Sequence, residues 1–204
     1  MNKPFLLIGQ GGTLPVRDLI SLRYEKPSKN PLMGQVLDIV NSDPTIKTVI
    51  LGARWGAFVN SKKGSYELLR YKSENKLLAL DHLLTQTVEE LVRNKKKVVL
   101  LLDVPTLPIN PKNCLKSRPF QKGVGRCSFF ESQKKTNDDQ INEMIRNVAK
   151  KYPSVFVVDA SKAICQEGIC TIGDGKTIFY GDDNHLTDAG SEIVAKKILE
   201  KVKL

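Results

Sequence analysis

Residues 98–102 read Val-Val-Leu-Leu-Leu, an unbroken apolar run between Lys97 and Asp103. A strand with one wet face alternates apolar and polar residues, so an uninterrupted run calls for cover on both faces, as in a parallel sheet packed by helices on either side. The neighbouring segments supply such helices. Residues 75–95 place Leu77, Leu80, Leu84, Val88, Leu91 and Val92 at helical spacing, and the stretch opened by Thr136-x-x-Asp139, a loose capping box, places Ile141, Met144, Ile145 and Val148 on one face. Asn30-Pro31 reads as a cap followed by proline at the first helical position, with a helix to about Asn41 burying Met33, Val36, Leu37 and Val40. A last helix to Lys203 carries Ile193, Val194, Ile198 and Val202.

Three further apolar runs read as strands: residues 4–9, 46–53 and 155–160. Strand and helix therefore alternate along the chain. The fold class expected is α/β, a three-layer sandwich with a parallel sheet, because right-handed crossovers put helices on both faces. Active sites in such sheets lie at the carboxyl ends of the strands. Gly9 to Thr13, Gly52 to Gly56, Asp103 to Pro108 and the segment around residues 182–185 are thus expected along one edge. Gly9-x-Gly11-Gly12 lacks the third glycine of a dinucleotide fingerprint, which argues against a nucleotide site there.

With 204 residues, 41% of them hydrophobic, the chain suits one well-cored domain. No run reaches the ~18 apolar residues of a membrane span, and Phe5-Leu6-Leu7-Ile8 is too short for a signal-peptide core. The net charge of +10 is spread over clusters such as Lys95-Lys96-Lys97, Lys134-Lys135 and Lys150-Lys151. These read as solvated helix ends and loops. Nucleic acid is not an expected partner, since no RNP-like aromatic pattern, zinc-ligand spacing or long basic helix accompanies the charge. Four cysteines, Cys114, Cys127, Cys165 and Cys170, allow three pairings that sequence alone does not choose between. We expect nearest neighbours to pair, with Cys114 and Cys127 tying a lysine-rich excursion after Pro111 into an ordered flap. Neither pair has a Cys-x-x-Cys gap, so no metal is expected, and no organic cofactor is indicated. Two disulfides imply an oxidising compartment.

Tyr180-Gly181-Asp182-Asp183-Asn184-His185-Leu186-Thr187 holds one of the two histidines, with a carboxylate three residues before it. On a tight turn ahead of a helix, a carboxylate at that spacing reaches Nδ1–H, fixes the tautomer and leaves Nε2 free to accept a proton. His82, the other histidine, has no such partner and reads as a boundary residue of its helix.

These residues carry a resemblance. Asp182-Asp183-Asn184-His185-Leu186-Thr187 resembles the last block, Asp-x-x-His before a C-terminal helix, of the SGNH esterases and acyltransferases. Val49 to Trp55, Leu101 to Pro105, and Cys165 to Cys170 ahead of Tyr180-Gly181-Asp182 look more narrowly like the periplasmic SGNH domain fused to membrane acyltransferases that O-acetylate lipopolysaccharide and other surface glycans. The resemblance implies a flavodoxin-like SGNH fold, His185 as base, Asp182 as its orienter, and acetyl transfer through an acyl-serine to a sugar hydroxyl. It implies an acyl donor and a glycan acceptor, a membrane acyltransferase domain as partner, and a periplasmic or membrane-associated location. Gly52-x-Arg54 falls where the family carries its Gly-x-Asn oxyanion donor, so Arg54 is expected to donate or to hold an anionic group. The family's Gly-Asp-Ser-His nucleophile block is missing from the sequence. We therefore expect a single SGNH-like domain, N-terminally incomplete and short of its first strand and serine, which alone is at most a feeble esterase; the alternative is a degenerate fold that binds glycans without chemistry. Thr13, Ser65 and Ser128 are the hydroxyls considered as substitutes.

Overall fold

The computed structural model describes residues 6–23, 31–115, 127–135 and 138–202. Phe5, Asn30, Thr136 and Lys203, which figure in the expectations above, lie outside them. The chain divides into two compact units, residues 1–100 with 141–157 and residues 101–140 with 158–204.

The first unit contains β1 (Leu19–Ser21), α1 (Leu32–Ser42), β2 (Thr48–Gly52), α2 (Trp55–Val59), β3 (Tyr66–Leu68) and α3 (Lys76–Arg93). It also holds most of β4 (Lys97–Leu102), which runs on into the second unit. In the second unit, α4 (Lys112–Leu115) and β5 (Ser128–Phe130) follow; α5 (Asp139–Lys150) then returns the chain to the first unit, and β6 (Val155–Asp159) leaves it again. β2, β4 and β6 form a parallel sheet in that order, flanked by helices, with the apolar strand β4 in the middle. Val98, Val99 and Leu100 are wholly buried there, as the unbroken apolar run requires. β1 and β3 form a separate antiparallel pair, Leu19 opposite Leu68.

The α3 helix shows how local chemistry sets element ends. The Asn75 side chain accepts hydrogen bonds from the amides of Leu77 and Leu78 at 3.0 and 3.2 Å, closing the N-terminus. At the other end Lys95 N donates to Val92 O and Lys96 N to Leu91 O, a Schellman closure with Lys95 at φ 59°. Between them Leu80, Leu83, Leu84, Val88 and Leu91 are buried, while Leu77 and Val92 are half-buried. His82 is half-buried and stacks on Tyr71, ring centroids 4.0 Å apart.

The strand expected over residues 4–9 is not formed by the residues described. Leu6 to Gln10 carry no regular structure, and Leu6 and Leu7 stay largely exposed. Four apolar residues specify a strand only where a neighbouring backbone takes up their hydrogen bonds.

The second unit also carries α6 (Ser161–Ile164), β7 (Cys165–Gln166), β8 (Ile169–Thr171) and α7 (Asp188–Val202). β5, β8 and β7 make a small antiparallel sheet, with Phe129 opposite Cys170 and Cys165 also opposite Cys170. Cys114 is bonded to Cys127 and Cys165 to Cys170. All four sulfurs belong to or pack against this unit's core, with Leu107, Phe129, Ile164, Ile172 and Tyr180. Among the described residues no helix is long and apolar enough to cross a membrane.

Candidate active site

A ladder of turns leads from β8 to α7. Gly173 bridges Ile178 across a turn whose Asp174 carboxylate accepts from the amides of Lys176 and Thr177, and Tyr180 bridges Leu186. Inside the second bridge, Gly181 N donates to His185 O at 2.8 Å and closes a five-residue loop. Asp182 organises that loop. Its Oδ1 accepts from the backbone amides of Asn184 and His185 at 2.9 and 2.7 Å, and its Oδ2 lies 2.7 Å from His185 Nδ1. A carboxylate only accepts, so Nδ1 carries the proton, and in the neutral ring Nε2 is the acceptor. The amide of Asn184 first, then the amide and imidazole of His185, hold the Asp182 carboxyl at about 2, below its ordinary 3.8. The His185 side chain is 78% exposed, and no described residue hydrogen-bonds its Nε2.

The loop is tied down from behind. Leu107 N donates to Asp183 O at 2.7 Å, Lys135 Nζ meets Asp183 Oδ2 at 3.0 Å, and Lys135 N donates to Thr106 O. The Tyr180 hydroxyl donates to Pro105 O at 3.1 Å from a buried position, and burial, with the Asp103 charge, raises its pKa. On the far side Thr187 starts α7: its Oγ1 donates to Ile178 O at 2.7 Å and accepts from Gly190 N at 3.3 Å. Gly190 sits so close to Phe179 that an added Cβ would collide with its carbonyl.

Asp182 and His185 are thus paired. Gly52 ends β2 and Arg54 precedes α2, both in the first unit, whereas the pair lies in the second. Thr13 also belongs to the first unit, its hydroxyl 3.4 Å from Gln10 Oε1, and the Ser65 amide donates to Lys62 O. Ser128 stands in β5 opposite Thr171. The Lys135 anchor carried no signal in the sequence beyond being one more lysine in a lysine-rich loop. Gly190 had one, a glycine in the first turn of a helix, where the missing Cβ permits a close backbone approach.

What the pair can do chemically is accept a proton at Nε2 while Asp182 holds the ring and stabilises the imidazolium that results. Comparison with curated proteins found no match. Among solved structures, the chain is similar to the periplasmic domain of a lipopolysaccharide acetyltransferase from Salmonella ser. Paratyphi A. That likeness has a TM-score of 0.57 and 16% identity over 84% of this chain and 62% of that domain's length. A putative platelet activating factor from Streptococcus pneumonia follows, with TM-score 0.47 and 11% identity over 80% and 66% of the two chains. A GDSL-like lipase from Bacteroides thetaiotaomicron has TM-score 0.43 and 15% identity over 83% and 69%. At these identities the first likeness speaks for the fold. Residues 1–200 match the family described as the SGNH domain fused to AT3 domains, and the chain belongs to that SGNH family.

Proposed function

We propose that this domain serves O-acetylation of a cell-surface polysaccharide, lipopolysaccharide or a similar glycan, with His185 as general base and Asp182 as its orienter. The observation that carries the reading is the 2.7 Å contact of Nδ1 with Asp182, which leaves an exposed Nε2 without a partner among the described residues. A hydroxyl approaching Nε2 loses its proton to the imidazole as its oxygen attacks the acyl carbon. His185 then returns the proton to the leaving oxygen, and Asp182 stays ionised throughout. In the family that hydroxyl is a serine of a Gly-Asp-Ser-His block, which residues 1–204 do not contain. On their own they are expected to hydrolyse an activated acetyl ester at most feebly.

Two disulfides and the periplasmic location in the Salmonella domain's name support an extracytoplasmic site of action. Membership of a family fused to AT3 domains supports a membrane acyltransferase as partner. The test is made in the producing cell. With His185→Ala at the native locus, the acetyl content of the surface polysaccharide, read by mass spectrometry, is expected to fall to background. Unchanged acetylation, with the variant present at normal level, would overturn the reading.

A further inference from the structure

Two carboxylates stand side by side at Asp182 and Asp183, yet only one of them holds the imidazole. We propose that Lys135 is a positioning residue that enforces this choice: it occupies Asp183, so that Asp182 alone orients His185. The proposal rests on His185 acting as the base.

Both carboxylate oxygens of Asp183 are taken. Oδ2 accepts from Lys135 Nζ at 3.0 Å and Oδ1 from Asn184 Nδ2 at 2.8 Å, and the residue's carbonyl accepts from Leu107 N at 2.7 Å. Lys135 is itself fixed, its backbone amide on Thr106 O at 3.0 Å. Residues 106–107, 135 and 183 therefore form one knot behind the loop. Its charge logic is specific. Asp182 and Asp183 are adjacent like charges, and a second carboxylate freed of its partner would compete for the amides that Asp182 now caps, loosening the carboxylate that holds Nδ1–H. The lysine neutralises that second charge and, with Asn184 Nδ2, occupies its two oxygens. The same pairing, with Asn184, holds the Asp183 carboxyl below its ordinary range.

The ion pair is open to water, Lys135 52% and Asp183 40% exposed. Pairs so exposed add little to stability, so its loss is expected to register in the imidazole and not in the melting temperature. That separates a positioning role from a merely structural one.

The test is 15N-imidazole NMR on the full chain at a pH of about 9, where ordinary imidazoles are neutral. With two histidines in the sequence, His82 serves as the internal reference. The wild type is expected to show His185 with its proton on Nδ1. In Lys135→Met the two tautomers are expected to mix, with the melting temperature unchanged. Lys135→Arg, Asp183→Asn and the double variant Lys135→Met/Asp183→Asn are each expected to keep the wild-type pattern, the last because the competing carboxylate has been removed along with its partner. Acetyl transfer in cells is expected to be about tenfold lower for Lys135→Met, a modest misplacement of the base, and to recover in the double variant. A wild-type tautomer in Lys135→Met, or a double variant as disturbed as the single one, overturns the proposal. The tautomer is read without any turnover, so a failure of the functional reading at His185→Ala is told apart from a failure of this one.

Discussion

Asp182 spends both of its oxygens on the loop that carries it, and this determines how the residue responds to change. Asp182→Asn keeps the shape and still accepts at one atom, but its amide nitrogen can face Nδ1 only as a donor, which favours the wrong tautomer. Loss of the matching orienter in a Ser-His-Asp triad costs on the order of 10⁴ in rate. A comparable loss is expected for acetyl transfer in the producing cell, read as the acetyl content of the surface polysaccharide for the variant against wild type. The pH dependence follows from the depressed pKa. Because the folded value, about 2, lies below the ordinary 3.8, the Asp182 contribution to stability is complete above about pH 4 and is lost as pH falls through about 2. Denaturant melts between pH 5 and pH 2 are expected to show Asp182→Asn converging on the wild type at the acid end. A gap that stays constant with pH would show that the carboxylate charge contributes nothing.

At the level of elements, two positions carry testable strain. Lys95 closes α3 in the left-handed region at φ 59°, where glycine is the usual occupant. Lys95→Gly is expected to stabilise the protein by about 0.5–1 kcal/mol, measured as a raised denaturation midpoint with unchanged slope. Gly190 shows the converse. A Cβ there would run into Phe179 O and stand 2.9 Å from Phe179 C, so Gly190→Ala must displace α7 from the ladder that holds His185. A loss of roughly 1–3 kcal/mol is expected, with a matching fall in melting temperature. Elements of this kind also mark what the sequence made legible. The long helices and the strands β2, β4 and β6 could be read because their apolar residues repeat over enough turns, or run long enough, to exclude other periods. The three-residue strands β1, β3, β5 and β8 show no period, and Phe5 to Ile8 looked like a strand only by composition. At the candidate site the Asp182 and His185 spacing was visible because the contact is local, three residues apart. The Lys135 to Asp183 contact spans 48 positions and left no local trace.

Over the whole molecule the cysteines are unevenly placed. All four lie in the unit formed by residues 101–140 and 158–204, while the first unit has none. The two bridges close sequence separations of 13 and 5 residues, each worth roughly 2–3 kcal/mol in the loop-closure account. Together they are comparable to a large share of the ~5–15 kcal/mol that stabilises a typical domain. The sulfurs are also part of the core itself, so reduction removes a constraint and loosens packing around Phe129, Ile172 and Tyr180. Tyr180 in turn anchors the loop through Pro105. Reductant is therefore expected to act on the candidate site before it acts on the parallel sheet. Amide exchange followed by mass spectrometry, with and without a phosphine reductant, checks this. Residues 169–187 are expected to lose protection on reduction, with α3 and the buried amides of Val98 to Leu100 exchanging as slowly as before. Equal loss throughout would mean that the two units unfold as one cooperative body, and no loss that the bridges are dispensable to the loop bearing His185.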